Sequence, residues 1–182
     1  MKLLFRRFNP VSDILLPFDC GNSALNEFLL ESNDCKQNAT FHTKELLSVT
    51  YILEDSETHT IIAYFSLLHD KIERDFADPT TWNRLSRKIP NAKRRSSYPA
   101  LKIGRLAINK PFQGQGIGGK ILHFIEQYYL KKQIAGCRYV TVDALQSAMP
   151  FYEKHRFQKM VSSEIDETIL MFFDLKSMVS NQ

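Results

Sequence analysis

The chain has 182 residues, 43% of them hydrophobic and 24% charged, which is enough for a real core and too short for two ordinary domains. These proportions, with a mean hydropathy of -0.28, exclude a disordered or fibrous chain. The longest apolar runs, such as Ile14–Phe18, fall far short of the ~20 residues that span a bilayer.

The net charge is only +4, but Arg84, Arg87, Lys88, Lys93, Arg94, Arg95, Lys102 and Arg105 follow one another with no acid between them. The remainder of the chain is therefore slightly acidic. Such a segment suits a polyanion; a solvated loop or helix face would carry the same charges. The N-terminus puts Arg6 and Arg7 straight after a short apolar patch and lacks the long apolar region of a secretory leader, so a cytoplasmic protein is expected. No repeat, low-complexity stretch or linker interrupts the sequence, and one domain over residues 1–182 is expected.

Lys2–Phe8 reads as an edge strand. Gly21-Asn22-Ser23 reads as a turn and helix cap, because Asn and Ser side chains accept from free N–H groups of a first turn. Leu25, Phe28 and Leu29 follow at helical spacing and predict an amphipathic helix to about Asn38. Leu46–Leu53 and Thr60–Leu68 are rich in β-branched and aromatic residues, and the acidic turn Glu54-Asp55-Ser56-Glu57 between them predicts a hairpin. Residues 70–98 are polar and punctuated by Pro79, Pro90 and Pro99. A short helix around Thr80–Arg87 is expected there, capped by Asp78 or Thr80, with the rest exposed and mobile. Leu101–Ile108 reads as a strand, Gln113–Gly119 as a Gly-rich turn, and Ile117 to about Gln133 as a helix with Ile121, Leu122, Ile125 and Tyr128/Tyr129 inward. A strand at Arg138–Ala144, a short helix at Ser147–Lys154 and strands at Phe157–Ser162 and Thr168–Leu175 complete a mixed α/β sheet.

Cys20, Cys35 and Cys137 are far apart and form no CxxC, which suggests neither a disulfide framework nor a zinc site. The histidines show no HxH or HExxH spacing, and no metal is expected.

The chemistry concentrates where the strand Leu101–Ile108 meets Lys110-Pro111-Phe112-Gln113-Gly114-Gln115-Gly116-Ile117-Gly118-Gly119-Lys120. Glycines let main-chain amides approach a ligand without obstruction by a Cβ. At a helix start those unpaired N–H groups and the helix dipole favour an anion, and a pyrophosphate suits such a cup. There is no Gly-Lys-Ser/Thr, so this is not a Walker A loop. Gly114-x-Gly116-x-x-Gly119 fits GxGxxG, but it lies past the middle of the chain and no acidic ribose partner is placed.

Gln113-x-x-Gly116-x-Gly118 resembles the acetyl-CoA signature of the GNAT family of N-acetyltransferases. Gly104-Arg105-Leu106-Ala107-Ile108-Asn109 is similar to that family's fourth strand, and Tyr139–Asp143 to its fifth. Ala148-Met149-Pro150-Phe151-Tyr152-Glu153-Lys154-His155-Arg156-Phe157 resembles its closing segment, with Arg156 where the family usually has glycine. At the N-terminus, Phe18-Asp19-Cys20-Gly21-Asn22-Ser23-Ala24-Leu25-Asn26-Glu27-Phe28-Leu29 resembles the opening of the aminoacyl-tRNA-acetylating toxins of bacterial toxin–antitoxin modules, with Asn26 in place of their usual Asp.

The resemblance implies an α/β GNAT fold: a mixed, mostly antiparallel central sheet, splayed between strands 4 and 5, with helices on both faces. It implies acetyl-CoA as cosubstrate, held by the backbone of Leu106, Ala107 and Ile108 along the pantetheine arm. The amides of Gln113, Gly114, Gln115, Gly116, Ile117, Gly118 and Gly119 would hold the pyrophosphate. The amide of Ile108 would face the oxyanion, and Tyr152 would return a proton to the leaving thiolate. The implied acceptor is the α-amino group of aminoacyl-tRNA, with Lys93, Arg94 and Arg95 near its phosphates. A small antitoxin protein and a homodimer are further implied partners. Other readings are an acceptor amine on a protein or small molecule, or a non-catalytic acyl-CoA-binding module. Asp143, Glu153 and His69 are the polar groups considered for a base.

Overall fold

In the computed structural model, the structure describes residues 2–30, 37–87, 89–90, 95–132, 135–160 and 167–179. The strands are β1 (Leu3–Arg7), β2 (Val49–Asp55), β3 (Ile61–Glu73), β4 (Ser97–Ile108), β5 (Tyr139–Leu145), β6 (Gln158–Lys159) and β7 (Thr168–Asp174). The helices are α1 (Ser23–Leu30), α2 (Ala39–Lys44), α3 (Pro79–Ser86), α4 (Ile117–Lys132), α5 (Met149–Lys154) and α6 (Lys176–Val179). The strands form one 7-stranded mixed sheet in the order β1-β2-β3-β4-β5-β7-β6, flanked by helices. The described pairings are antiparallel except β4–β5. That parallel ladder runs only from Ala100–Tyr139 to Lys102–Thr141, whereas β5 pairs with β7 along its whole length. The short ladder is the expected parting of the fourth and fifth strands. Among the described residues no helix is long and apolar enough to cross a membrane.

By its contacts the chain divides into two compact units. The first takes in Met1–Leu68 and Ile103–Ile121. Its core gathers Phe8, Phe18, Phe28, Leu29, Ile52, Ile61, Tyr64 and Ala107. The β2–β3 hairpin forms as expected, but Glu54 and Asp55 belong to β2 rather than to the turn. Each finds a partner at the sheet edge: Arg6 donates to the Glu54 carboxylate at 2.9 Å and the Lys2 N–H to that of Asp55 at 3.2 Å. Asn22 caps α1 by accepting from the Leu25 N–H at 3.1 Å. The described helix stops at Leu30, so the predicted run to Asn38 is not one helix; residues 31–36 lie outside the described residues. Asn38 instead begins α2, its side chain accepting from the Phe41 N–H at 2.8 Å. Leu46 leaves α2 with φ 58, and the Leu47 N–H reaches back to the His42 carbonyl at 2.8 Å. This left-handed cap occupies the two leucines that the sequence pattern assigns to a strand.

The second unit takes in His69–Lys102 and Leu122–Gln182. Asp78 caps α3, accepting from the Thr81 N–H at 2.8 Å, with Pro79 in the first turn, as expected. The segment around it differs from the exposed connection expected, because β3 continues to Glu73 and β4 starts at Ser97. Ile72, Trp82, Leu85 and Tyr98 are buried with Ala100, Tyr139, Met160 and Phe172 in the core of this unit. Trp82 and Tyr98 stack at 5.2 Å. Along α4, Leu122 and Ile125 are buried as expected, while Tyr128 and Tyr129 are only partly covered.

Candidate active site

The loop that ends β4 is built within the first unit. Asn109 closes the strand: its N–H donates to the Ile62 carbonyl at 2.9 Å and its side chain to that of Ile61 at 2.8 Å. Along the strand, Ala107 is buried in the core, while Leu106 and Ile108 are half-buried on the opposite face, as the two-residue period of a strand requires. A helical turn over Lys110–Phe112 follows, and the Gln113 N–H is spent on the Lys110 carbonyl at 3.2 Å. Gln113 is therefore not one of the free amides. Its side chain instead donates to the carbonyls of Ile108 and Cys20, each at 2.9 Å.

Past Gln113 the backbone turns through Gly114 and Gly116, both at φ 73, a conformation that favours glycine. A Cβ at either would meet nothing within 4 Å, so the loop opens on free space. The N–H groups of Gly116, Ile117, Gly118 and Gly119 find no acceptor among the described residues, while their successor Lys120 bonds the Gly116 carbonyl at 3.2 Å. Unspent donors at the start of α4, beside open space at Gly114 and Gly116, have the chemistry that an anion such as a diphosphate requires. The side chain of Gln115 folds back onto the Pro111 carbonyl at 3.0 Å and stays clear of it.

A latch missed by sequence reasoning holds this loop. The Lys110 ammonium pairs with Asp19 at 2.6 Å, and the Lys110 N–H donates to the Asp19 carbonyl at 2.9 Å. Asp19 also accepts from the Gly21 N–H at 2.8 Å and the Asn26 side-chain amide at 3.0 Å, while Asn26 accepts from the Cys20 N–H at 2.9 Å. Lys110, then Asn26 and the Gly21 amide, hold the Asp19 carboxyl down at about 2. Asn26 is the departure from the toxin pattern, and its amide serves both as donor and acceptor, which a carboxylate does not. The segment Phe18–Asn22 is thus a brace for the loop, with Phe18 buried as its anchor.

In the second unit, Tyr152 sits on α5, buried against Phe151 at 5.0 Å and Phe157 at 5.4 Å. Its hydroxyl makes no hydrogen bond among the described residues. Burial pushes the phenol up to about 12, so it is a protonated donor across the physiological range. The chain leaves α5 through Arg156 at φ 66, with the Phe157 N–H reaching back to the Tyr152 carbonyl at 3.0 Å. Arginine thus occupies a left-handed position suited to glycine, its guanidinium 5.2 Å from the Phe173 ring centroid.

The candidate bases are occupied or exposed. Asp143 pairs with Lys102 at 2.5 Å, and His69 and Glu153 are exposed. Arg95 is exposed just before β4, while Lys93 and Arg94 lie outside the described residues, as does Cys35. Cys20 and Cys137 are free thiols. Among the described residues no group of His, Cys, Asp or Glu could hold a metal ion.

Residues 91–177 match the family model of the acetyltransferase (GNAT) domain. Solved structures match over the whole length. A tyrosine-to-phenylalanine mutant of KacT is 26% identical, with 100% of each chain covered and a TM-score of 0.79. AtaT complexed with acetyl-methionyl-tRNAfMet is 27% identical, with 99% of each chain covered and a TM-score of 0.80. AtaTR bound with acetyl-CoA is 27% identical over 99% of this chain and 98% of that one, with a TM-score of 0.75.

Proposed function

We propose that this chain, whose residues 91–177 match the acetyltransferase (GNAT) domain, transfers the acetyl group of acetyl-CoA to the α-amino group of an aminoacyl-tRNA, with residues 1–182 acting as one catalytic domain. The observation that carries the reading is the cup of unspent N–H groups from Gly116 to Gly119. The full-length likeness to AtaT, which was captured with acetyl-methionyl-tRNAfMet, supports the acceptor, and AtaTR bound with acetyl-CoA supports the donor.

Bound acetyl-CoA supplies an activated thioester. The protein's part is to position it and to manage a proton. The amides from Gly116 to Gly119 bind the diphosphate, with Gly114 and Gln115 shaping the turn into them. The backbone of Leu106, Ala107 and Ile108 aligns the arm, and holding both partners in place removes much of the entropic barrier to a two-substrate reaction. The Ile108 amide stabilises negative charge on the carbonyl oxygen under attack. The α-amino group of an aminoacyl ester is less basic than a lysine amine, so water suffices as its base. Tyr152 donates its phenolic proton to the departing sulfur. Lys93, Arg94 and Arg95 meet RNA phosphates.

A toxin-like activity goes with a small antitoxin protein that covers the basic face, and the family resemblance adds a homodimer as a further partner state. Expression in a bacterial host tests the reading in the cell. Growth arrest that Tyr152→Phe abolishes supports a toxin; unimpeded growth, with active acetyltransferase recovered from the cells, moves the acceptor to a protein or small-molecule amine.

A further inference from the structure

Arg105 lies in β4, half-buried, with its guanidinium carbon 3.6 Å from the centroid of the Phe28 ring. Among the described residues no carboxylate pairs with it and no hydrogen bond takes up its N–H groups; the one charge-bearing group that favours its ionised form is the Tyr64 phenol. The described residues around it hold it without neutralising it. Phe28 is buried, stacked on Tyr64 at 6.0 Å and met edge-on by His42 at 5.4 Å. The Tyr64 hydroxyl is spent on the Leu25 carbonyl at 2.7 Å. Burial, and then the Arg105 charge, holds the His42 imidazole below its usual range, so no second cation competes there.

A guanidinium never gives up its charge in a protein, and burying it without an acid forfeits hydration that the aromatic face only partly restores. An aliphatic side chain would cover Phe28 without that cost. A planar fork of N–H donors, held over a ring and unpaired among the described residues, has the chemistry of an oxyanion receptor.

We propose that Arg105 receives a phosphate group of a substrate, its N–H groups forking onto the phosphate oxygens while Phe28 holds the guanidinium plane. The proposal rests on the acetyl-transfer reading for its two sources of phosphate, the coenzyme and the RNA acceptor. The amides at Gly116–Gly119 already provide donors for the coenzyme diphosphate, which leaves a terminal phosphate of the acceptor strand as the expected ligand.

The test compares the full-length protein with Arg105→Met and Arg105→Lys. Methionine keeps an unbranched stem over Phe28 and removes the charge; lysine keeps the charge and removes the fork. Each is assayed for acetyl-CoA affinity by calorimetry, and for kcat/KM on charged tRNA and on the methyl ester of the same amino acid, which offers the amine without phosphate. Arg105→Met is expected to lose roughly 10- to 100-fold in kcat/KM on charged tRNA, mainly through KM, with lysine partly restoring it. Acetyl-CoA affinity and turnover of the ester stay within about twofold. The log–log salt slope of kcat/KM on charged tRNA becomes shallower by about 0.7, the share of one phosphate on a single strand.

Loss of acetyl-CoA affinity instead supports the phosphate receptor and assigns it to the coenzyme. Arg105→Met indistinguishable from the parent protein in every arm overturns the proposal. So do equal losses on both acceptors with acetyl-CoA affinity intact, because a packing defect does not distinguish them. Thermal melts identify a variant that unfolds; if Arg105→Met does, Arg105→Lys carries the same comparison. Parent protein that leaves charged tRNA unmodified removes the acceptor reading by itself, and Arg105 is then judged on acetyl-CoA affinity.

Discussion

The side-chain amide of Gln113 donates to the carbonyl oxygen of Ile108 at 2.9 Å, tying the first residue of the anion loop to the last residue of β4. The same nitrogen reaches Cys20, so one amide joins strand, loop and N-terminal brace. A carboxylate has no N–H to give and would face both carbonyls with like charge. Gln113→Glu is expected to weaken acetyl-CoA binding about tenfold, the cost of one or two exposed hydrogen bonds, with little change in kcat. Calorimetric titration with acetyl-CoA checks this; unchanged affinity would mean the tie does not hold the loop.

Gly116 has φ 73, and nothing lies within 4 Å of where its Cβ would stand. Gly116→Ala therefore brings no clash within the free protein, only the strain of a left-handed alanine, about 1–2 kcal/mol. Denaturant unfolding should show that loss. Acetyl-CoA affinity should fall with it, because the new methyl group enters the open space proposed for the diphosphate. A variant that is strained yet binds normally would place the diphosphate elsewhere.

Tyr152→Phe removes a hydroxyl that has no hydrogen-bond partner among the described residues, so its melting temperature should barely move. Its kcat should drop roughly 10²- to 10⁴-fold, with acetyl-CoA affinity retained. The pH profile carries a second signature. Burial raises the phenol from 10.0 to about 12, so it keeps its proton throughout neutral and mildly alkaline solution. The stability this burial contributes is fully present below 10.0 and is lost as the pH rises toward about 12. The rate should accordingly climb with pH as the attacking amine loses its proton, then level off with no fall from Tyr152 before strongly alkaline pH. A descending limb near neutrality that vanishes in Tyr152→Phe would contradict this.

Arg156 has φ 66 and lies 5.2 Å from the Phe173 ring centroid. Strain and cation–π contact oppose each other here, so the comparison that isolates the backbone is between two truncations. Arg156→Gly and Arg156→Ala both lose the guanidinium, but only glycine relieves the left-handed strain. The glycine variant should be the more stable by about 1 kcal/mol in denaturant unfolding. Equal stabilities would indicate that the turn relaxes.

The legible parts of this fold are those where local chemistry and pattern agree. Asn22 and Asp78 cap the helices expected of them, and Gly114 and Gly116, just before α4, mark the loop that the structure opens on free space. The less legible parts are decided by tertiary contacts. Pro99 reads as a breaker, yet it is an exposed residue inside β4, where its missing N–H is not needed for the ladder that begins at Ala100. Ile72, Trp82, Leu85 and Tyr98 are scattered through a polar segment without periodicity, and only the fold gathers them into a core. Leu46 and Leu47 look like strand residues because hydrophobicity does not announce a left-handed cap. Within the candidate site, Tyr152 and the glycine loop stand out in the sequence. The brace of Asp19, Asn26 and Lys110 does not, since its partners are distant in the chain and of ordinary type. Arg105 is visible there only as one basic residue among several; its stacking on Phe28 distinguishes it.

The most direct measurement is incubation of the full-length chain with labelled acetyl-CoA and bulk charged tRNA, beside a panel of peptides and polyamines. Label should appear on the tRNA, be released when the aminoacyl ester is hydrolysed by mild base, and fail to appear with Tyr152→Phe. Label confined to peptides or polyamines, with charged tRNA untouched, would contradict the proposed acceptor.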